Sequence, residues 1–394
     1  MSFLINTYKR LPVCFERGEG VWLWDKAGKK YLDALGGIAV SLLGHGHPEI
    51  VRTITEQAQK VLHTSNLYTI EKQEALGEKL CRLSKMDGAF FCNSGAEANE
   101  TAFKLSKIYG HKVRNIINPH VIVMENAFHG RTFTMISATG NPKVQEGFEP
   151  LVPNFIRVPF DDPEAVARCA ALYPEVVAVL VEPIQGEGGI RVPQPGYLRK
   201  LREICDQNKW LLMLDEVQCG LGRTGKLFAY EAENVLPDVV TLAKGLANGI
   251  PIGACLIRKP YAELLQPGSH GTTFGGNPFS CSVALKTLEI IEQQKLWENA
   301  GLQGAYLIQA LHAKLQKLRE QGHVKAIRGQ GLMLGIELDK PCRDTLMLGL
   351  AEGILFSVTR DNVIRFLPPL IIEHHHCDQI AENISTVIQN FYNI

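Results

Sequence analysis

The stretch "WLLMLDEVQCGLGRTGKLF" (210–228) carries an apolar run straight into two acids, Asp215 and Glu216. Its first half reads as a buried strand, and charges are rarely buried without a partner. Two readings of the acids compete. An apolar strand ending in Asp-Glu is how the second half of a nucleotide-hydrolysing site reads, and "GLGRTGKL" (220–227) comes close to the phosphate-loop spacing G-x-x-x-x-G-K-[ST]. The other reading is that Asp215 faces a buried cation supplied from outside the chain. The phosphate-loop reading fails on detail. Leu227 stands where the magnesium-binding Ser or Thr belongs, "DEVQC" separates the strand from the glycines, and "KLFAYE" does not read as a capped helix.

Working outward, short apolar runs alternate with amphipathic stretches. Strands are expected at 88–93, 120–127, 176–183, 210–217, 239–244 and 252–258. Several are apolar on both faces, as in a parallel sheet covered by helices, and pieces such as "PGYLRKLREICDQN" have helical spacing. The alternation predicts an α/β fold with a large, mostly parallel sheet. From 279 onward two long helical stretches and shorter strands suggest a smaller α+β domain. The expected division is an N-terminal segment 1–50, a large domain 51–278 and a C-terminal domain 279–394. In an open parallel sheet, ligands bind beyond the carboxyl ends of the strands. Asn93-Ser94-Gly95, Phe128-His129-Gly130-Arg131, Glu182, Gln185, Asp215, Gln218 and Lys244 all fall at such ends, which suggests one site.

Composition narrows the function. With 394 residues and 45% hydrophobic content the chain can bury a sizeable core, and 41 basic residues balance 41 acidic ones. A neutral surface gives no support to nucleic-acid or membrane binding. The N-terminus lacks the apolar core of a signal peptide, and no run approaches the ~18 apolar residues needed to span a membrane. Ten scattered cysteines without a C-x-x-C pair fit reduced thiols and a cytoplasmic location. No metal site is expected. His374-His375-His376 are adjacent and read as a surface loop, His45 and His47 as hydrogen-bonding residues of a turn, and "GQGLMLG" (329–335) as turn glycines.

Two motifs carry the chemistry. "NSGAEANETAFKLSKIYG" (93–110) puts Ser94 and Gly95 at the mouth of a helix, where free N–H groups favour an anion. "VVTLAKGLANGIPIGA" (239–254) puts Lys244 at the end of an apolar strand, and a desolvated lysine is a nucleophile toward aldehydes. A lysine, a phosphate cup and an aspartate together suit pyridoxal 5'-phosphate. Asp215 would then face the pyridine nitrogen. At about 4 Å and an effective dielectric of about 20, that attraction is about 4 kcal/mol.

The motifs "NSGAEANE", "FHGRT", "VEPIQGEGG", "LDEVQCGLGRTG", "LAKGLANGIPIGA" and "HGTTFGGNP" resemble those of class III pyridoxal-phosphate aminotransferases, over essentially the whole chain. The resemblance implies that Lys244 holds the cofactor covalently, Asp215 pairs with its ring nitrogen, and Gln218 approaches its ring hydroxyl. It puts Phe128 and Val217 on the two ring faces, and Gly95 and Ala96 on the phosphate through backbone donors. Ala96 stands where many of the class have threonine, so a hydroxyl contact is lost. The resemblance also implies a homodimer with shared sites, Thr273 reaching the neighbouring subunit's phosphate. Arg131 is expected on the substrate α-carboxylate, Thr272 near the substrate, and Glu187 paired with Arg365. "GGIAVSLLGHGHP", "FHGRTF" and "VIRFLPPL" lean toward the acetylornithine-type members, with 2-oxoglutarate as the acceptor. Ile38, where ornithine enzymes have tyrosine, favours an acetylated donor but leaves 4-aminobutyrate open. Succinylornithine and succinyl-diaminopimelate donors also remain open.

Overall fold

The computed structural model describes residues 3–394. Three short antiparallel strands, β1 (Phe15–Glu19), β2 (Trp22–Asp25) and β3 (Lys30–Asp33), open the chain. The large sheet follows: β4 (Gly88–Cys92), β5 (His120–Met124), β6 (Phe155–Val158), β7 (Val176–Val181), β8 (Leu211–Asp215), β9 (Val239–Leu242) and β10 (Gly253–Ile257). The C-terminal part contributes β11 (Val324–Gln330), β12 (Met333–Leu338), β13 (Ile354–Leu355), β14 (Ser357–Thr359) and β15 (Val363–Phe366). Strand β13 pairs in parallel with β3, so the N-terminal strands extend from the C-terminal part.

The large sheet has the order β4-β10-β9-β8-β7-β5-β6. All its strands run one way except β10, which is antiparallel to both neighbours. This explains why the last expected strand brings no polar group to the site: its amino end, not its carboxyl end, faces that edge. The central strands β7 and β8 are buried along their whole length, and helices such as Gly95–Lys112 and Tyr197–Asn208 pack on the sheet. Sequence periodicity missed β6. Its Arg157 breaks the apolar run, and in the fold that guanidinium donates to Ser137 O and Thr139 O at 2.9 and 3.0 Å from an edge strand.

Smaller expectations also met the structure. His374–His376 are not a loop but the first turn of the helix His374–Tyr392, with His376 buried and its Nδ1 accepting from Glu373 N. His45 does hydrogen-bond, to Asp33 at 2.8 Å, whereas buried His47 Nδ1 has no partner among the described residues. Of the glycines in 329–335, Gly331 is a turn glycine (φ +55°) in the β11–β12 hairpin, whereas Gly329 and Gly335 lie within the two strands.

Candidate active site

The parallel strands end at one edge, where a cavity of about 440 Å³ opens. After β4, Ser94 caps the helix Gly95–Lys112 and accepts from Glu97 N at 3.3 Å, while the Glu97 carboxylate returns to Asn93 N at 2.6 Å. The N–H groups of Gly95 and Ala96 bond to no acceptor among the described residues, and both residues border the cavity. Gly95 must be glycine for Val217 to close over it, since an added Cβ would lie 2.7 Å from Val217 Cγ1.

The two acids that end β8 turn out to serve different purposes. Asp215 borders the cavity, 3% exposed, with Oδ2 accepting from Asn99 Nδ2 at 2.7 Å and facing His129 Nδ1 at 2.8 Å. Asn99 is itself held, its Oδ1 accepting from Thr241 Oγ1 at 2.7 Å. Glu216 turns away and accepts from Ala229 N and Tyr230 N, both at 2.9 Å. Burial pushes its carboxyl up to about 8, against those two bonds. It shapes the loop that follows.

Lys244 follows β9 and lines the same cavity, at a left-handed φ of +37° that costs a non-glycine residue on the order of 1 kcal/mol. Burial lowers its pKa below the usual 10.5, against the opposing fields of Glu187, Asp215 and Glu182. Glu182, after β7, accepts from Phe128 N at 2.9 Å and Gly186 N at 3.1 Å, which fixes Phe128 at the cavity wall.

A second cation reaches the site from the C-terminal part. Arg365 on β15, 2% exposed, donates through Nη1 to Glu187 Oε1 at 2.5 Å and to Gln218 Oε1 at 3.2 Å, and through Nε to Ser357 Oγ at 3.0 Å. Burial would raise Glu187, but the charge and hydrogen bond of Arg365 leave it lowered. Arg131 is exposed at the cavity rim, 5.8 Å from the Phe128 ring centroid.

Lys244, Asp215, Gly95, Ala96, Phe128, Val217, Gln218 and Arg131 thus share one cavity, and Glu187–Arg365 joins it through Gln218. Thr272 and Thr273 do not line it. Thr272 Oγ1 accepts from Asn93 Nδ2 at 3.3 Å, and Thr273 is exposed.

A family model described as "Aminotransferase class-III" matches residues 4–388. The chain belongs to the class-III aminotransferase family. It is 53% identical to the acetylornithine aminotransferase of Nitrosomonas europaea, covering 99% of this chain and 98% of the relative. With the acetylornithine aminotransferase of Methanocaldococcus jannaschii it shares 46% identity, covering 98% and 96%. Among solved structures it superposes on the ornithine aminotransferase of Toxoplasma gondii with a TM-score of 0.95 at 34% identity, covering 99% and 93%. A second structure of that enzyme is described with partial occupancy of PLP at its active site. The acetylornithine aminotransferase of Elizabethkingia anophelis matches with a TM-score of 0.87 at 35% identity, covering 98% and 96%.

In this aminotransferase, sequence reasoning placed His129 at the sheet edge without a role and did not name Asn99; these two side chains grip Asp215 while Val217 N donates to its Oδ1 at 3.1 Å. The signal for Asn99 was weak but present. It is a polar residue one helical turn after Gly95, on a helix that the sheet buries.

Proposed function

We propose that this aminotransferase uses pyridoxal phosphate to move the distal amino group of N2-acetyl-L-ornithine to 2-oxoglutarate, giving N-acetylglutamate 5-semialdehyde and glutamate, a step of arginine biosynthesis. One observation carries the reading: Lys244, Asp215 and the N–H groups of Gly95 and Ala96, which bond no acceptor among the described residues, converge on one cavity that the Glu187–Arg365 pair adjoins. The donor set fits the cofactor. The helix mouth suits its phosphate, Asp215 its ring nitrogen, Gln218 its ring hydroxyl, Phe128 and Val217 its two faces, and Lys244 its aldehyde. When bound, the cofactor supplies an electron sink for the carbanion left as a proton leaves the substrate carbon.

The protein's own part is positioning and proton transfer. Asn99 and His129 hold Asp215 in place, so its charge is aimed before substrate arrives. Lys244 Nζ lies where it would take the proton from the reacting substrate carbon as general base and give it up again as general acid. Arg131 serves the donor's α-carboxylate, with Thr272 near the substrate. N-acetylornithine reacts far from its carboxylate, whereas 2-oxoglutarate and glutamate react beside one. Glu187 neutralises Arg365 for the first half-reaction and releases it for the second.

The names of the most similar relatives support the donor, and Ile38, in place of a tyrosine, supports an acetylated one. A panel of amino donors scored by glutamate formation tests the reading. N-acetylornithine should be the best donor; a clear preference for ornithine, succinylornithine, succinyl-diaminopimelate or 4-aminobutyrate would replace it. We further propose a homodimer with shared sites. Thr273 lies on the surface outside its own cavity, followed by Phe274, 61% exposed; Asn66, which bonds Thr272 O, leads into Leu67 and Tyr68, 87% and 68% exposed. The free cysteines, eight of them buried, accord with a cytoplasmic setting.

A further inference from the structure

The loop Gly220–Gly225, whose glycines come close to phosphate-loop spacing, has no part in the reaction described above, yet it contains the bulkiest fully buried side chain among the described residues, Arg223. Among the described residues no carboxylate lies within ion-pair distance of it. Asp33, whose field reaches it, uses its own oxygens on Leu35 N, Gly36 N and His45. Arg223 Nη1 donates to Leu332 O at 3.1 Å and Pro368 O at 2.5 Å, while Nε and Nη2 find no protein acceptor among the described residues. A guanidinium buried in this way is expensive, and an apolar side chain of similar volume would serve stability as well or better. Its use must lie in what it holds.

It holds both sides of the strand pair that carries Arg365. Leu332 leads into β12, whose Gly335 is registered against Arg365, and Pro368 follows Arg365 at the end of β15. The Arg223 carbonyl adds a return bond from Leu332 N at 2.9 Å. The opposite side of the same segment is gripped by the N-terminal residues, with Leu367 N donating to Ala34 O at 2.8 Å and Leu370 N to Leu42 O at 2.7 Å. The loop from Asp215 to Gly225 therefore meets Arg365 directly through Gln218 and meets its strand support through Arg223. We infer that Arg223 is a positioning residue, which sets how far Arg365 stands from Glu187 and Gln218 and so how readily the site takes a substrate with a carboxylate beside its reacting carbon. The inference rests on the proposed role of Arg365 toward 2-oxoglutarate and glutamate.

The test measures the two half-reactions of the holoenzyme separately, by stopped-flow absorbance of the cofactor with N-acetylornithine and with glutamate. Arg365→Ala first checks the underlying reading: it must impair the glutamate half selectively. If it does not, the role of Arg365 is wrong and the inference falls with it. Arg223→Met then removes the carbonyl clamp at similar volume. It should raise the glutamate concentration for half-maximal rate on the order of tenfold, since small misplacements far from the chemistry are felt there. The N-acetylornithine dependence should stay within about twofold on the same argument. In an Arg365→Ala background Arg223→Met should have no further selective effect. Arg223→Lys, which keeps a charge but loses the fork that spans two carbonyls, should shift the ratio the same way by less, and it serves if the methionine variant does not fold. Equal changes in both half-reactions, or none, in a folded Arg223 variant while Arg365→Ala remains selective would make Arg223 a purely structural residue.

Discussion

Asp215 and Glu216 are adjacent carboxylic side chains, both buried, and their partners set them apart. Asp215→Asn should leave the cofactor bound but slow single-turnover deamination on the order of a hundredfold or more, the scale of losing one aimed charge in a closed site. A near-normal rate would make Asp215 structural. Lys244 offers an independent check. Borohydride reduction and peptide mapping should place the pyridoxyl label on Lys244 alone. Burial lowers its pKa from 10.5, so its neutral, nucleophilic form persists to lower pH than in an exposed lysine. The rate at which apoenzyme takes up pyridoxal phosphate should therefore rise with pH and reach its midpoint below 10.5. Because the Asp215 charge opposes that lowering, Asp215→Asn should move the midpoint lower still; a midpoint moved upward would contradict the assignment.

At the scale of elements, the start of the helix Gly95–Lys112 depends on the absence of one carbon atom. Gly95→Ala would put a Cβ 2.7 Å from Val217 Cγ1, between two residues that line the cavity. Overpacking costs about 1–3 kcal/mol, and if that falls on the bound state, pyridoxal phosphate affinity drops about tenfold for each 1.4 kcal/mol. Equilibrium dialysis measures it, and Val217→Ala in the same chain should restore affinity. The turn Gly36–Ala39 is a different case. All four residues have positive φ, including the β-branched Ile38 at +66°. This left-handed turn costs Ile38 about 1–2 kcal/mol, and the residue is 37% exposed, so packing offsets only part of it. Ile38→Gly should leave thermal stability unchanged or raise it slightly. A clear fall in melting temperature would show that Ile38 packs on something that outweighs the strain.

For the whole molecule, the Glu187–Arg365 pair is where the large sheet's loops meet the C-terminal strands. Removing Glu187 leaves a buried guanidinium short of a partner, a loss on the order of 3–5 kcal/mol when uncompensated. Arg365 should then seek substrate carboxylates. In Glu187→Ala the glutamate half-reaction should gain on the N-acetylornithine half-reaction, with stopped-flow spectra giving the ratio. An unchanged ratio would reduce the pair to a structural link between the two parts of the chain.

Much of this was legible in the residues alone. Apolar runs such as Leu211–Leu214 and Val176–Val181 mark buried parallel strands because no other environment suits both faces. Polar groups that interrupt such runs at their carboxyl ends, Asp215 and Lys244 among them, mark a site because burying them without a use is costly. Local pattern could not reveal relations between distant segments. That Glu216 braces the backbone at Ala229 and Tyr230 while Asp215 faces the cavity, that Asn99 and His129 grip Asp215, that β10 runs against its neighbours, and that Arg223 reaches Leu332 and Pro368 were decided only by the tertiary structure. Hydrogen bonds and ion pairs between residues 13 to 145 positions apart leave no periodicity in the chain. They exist only once packing has brought their partners within about 3 Å.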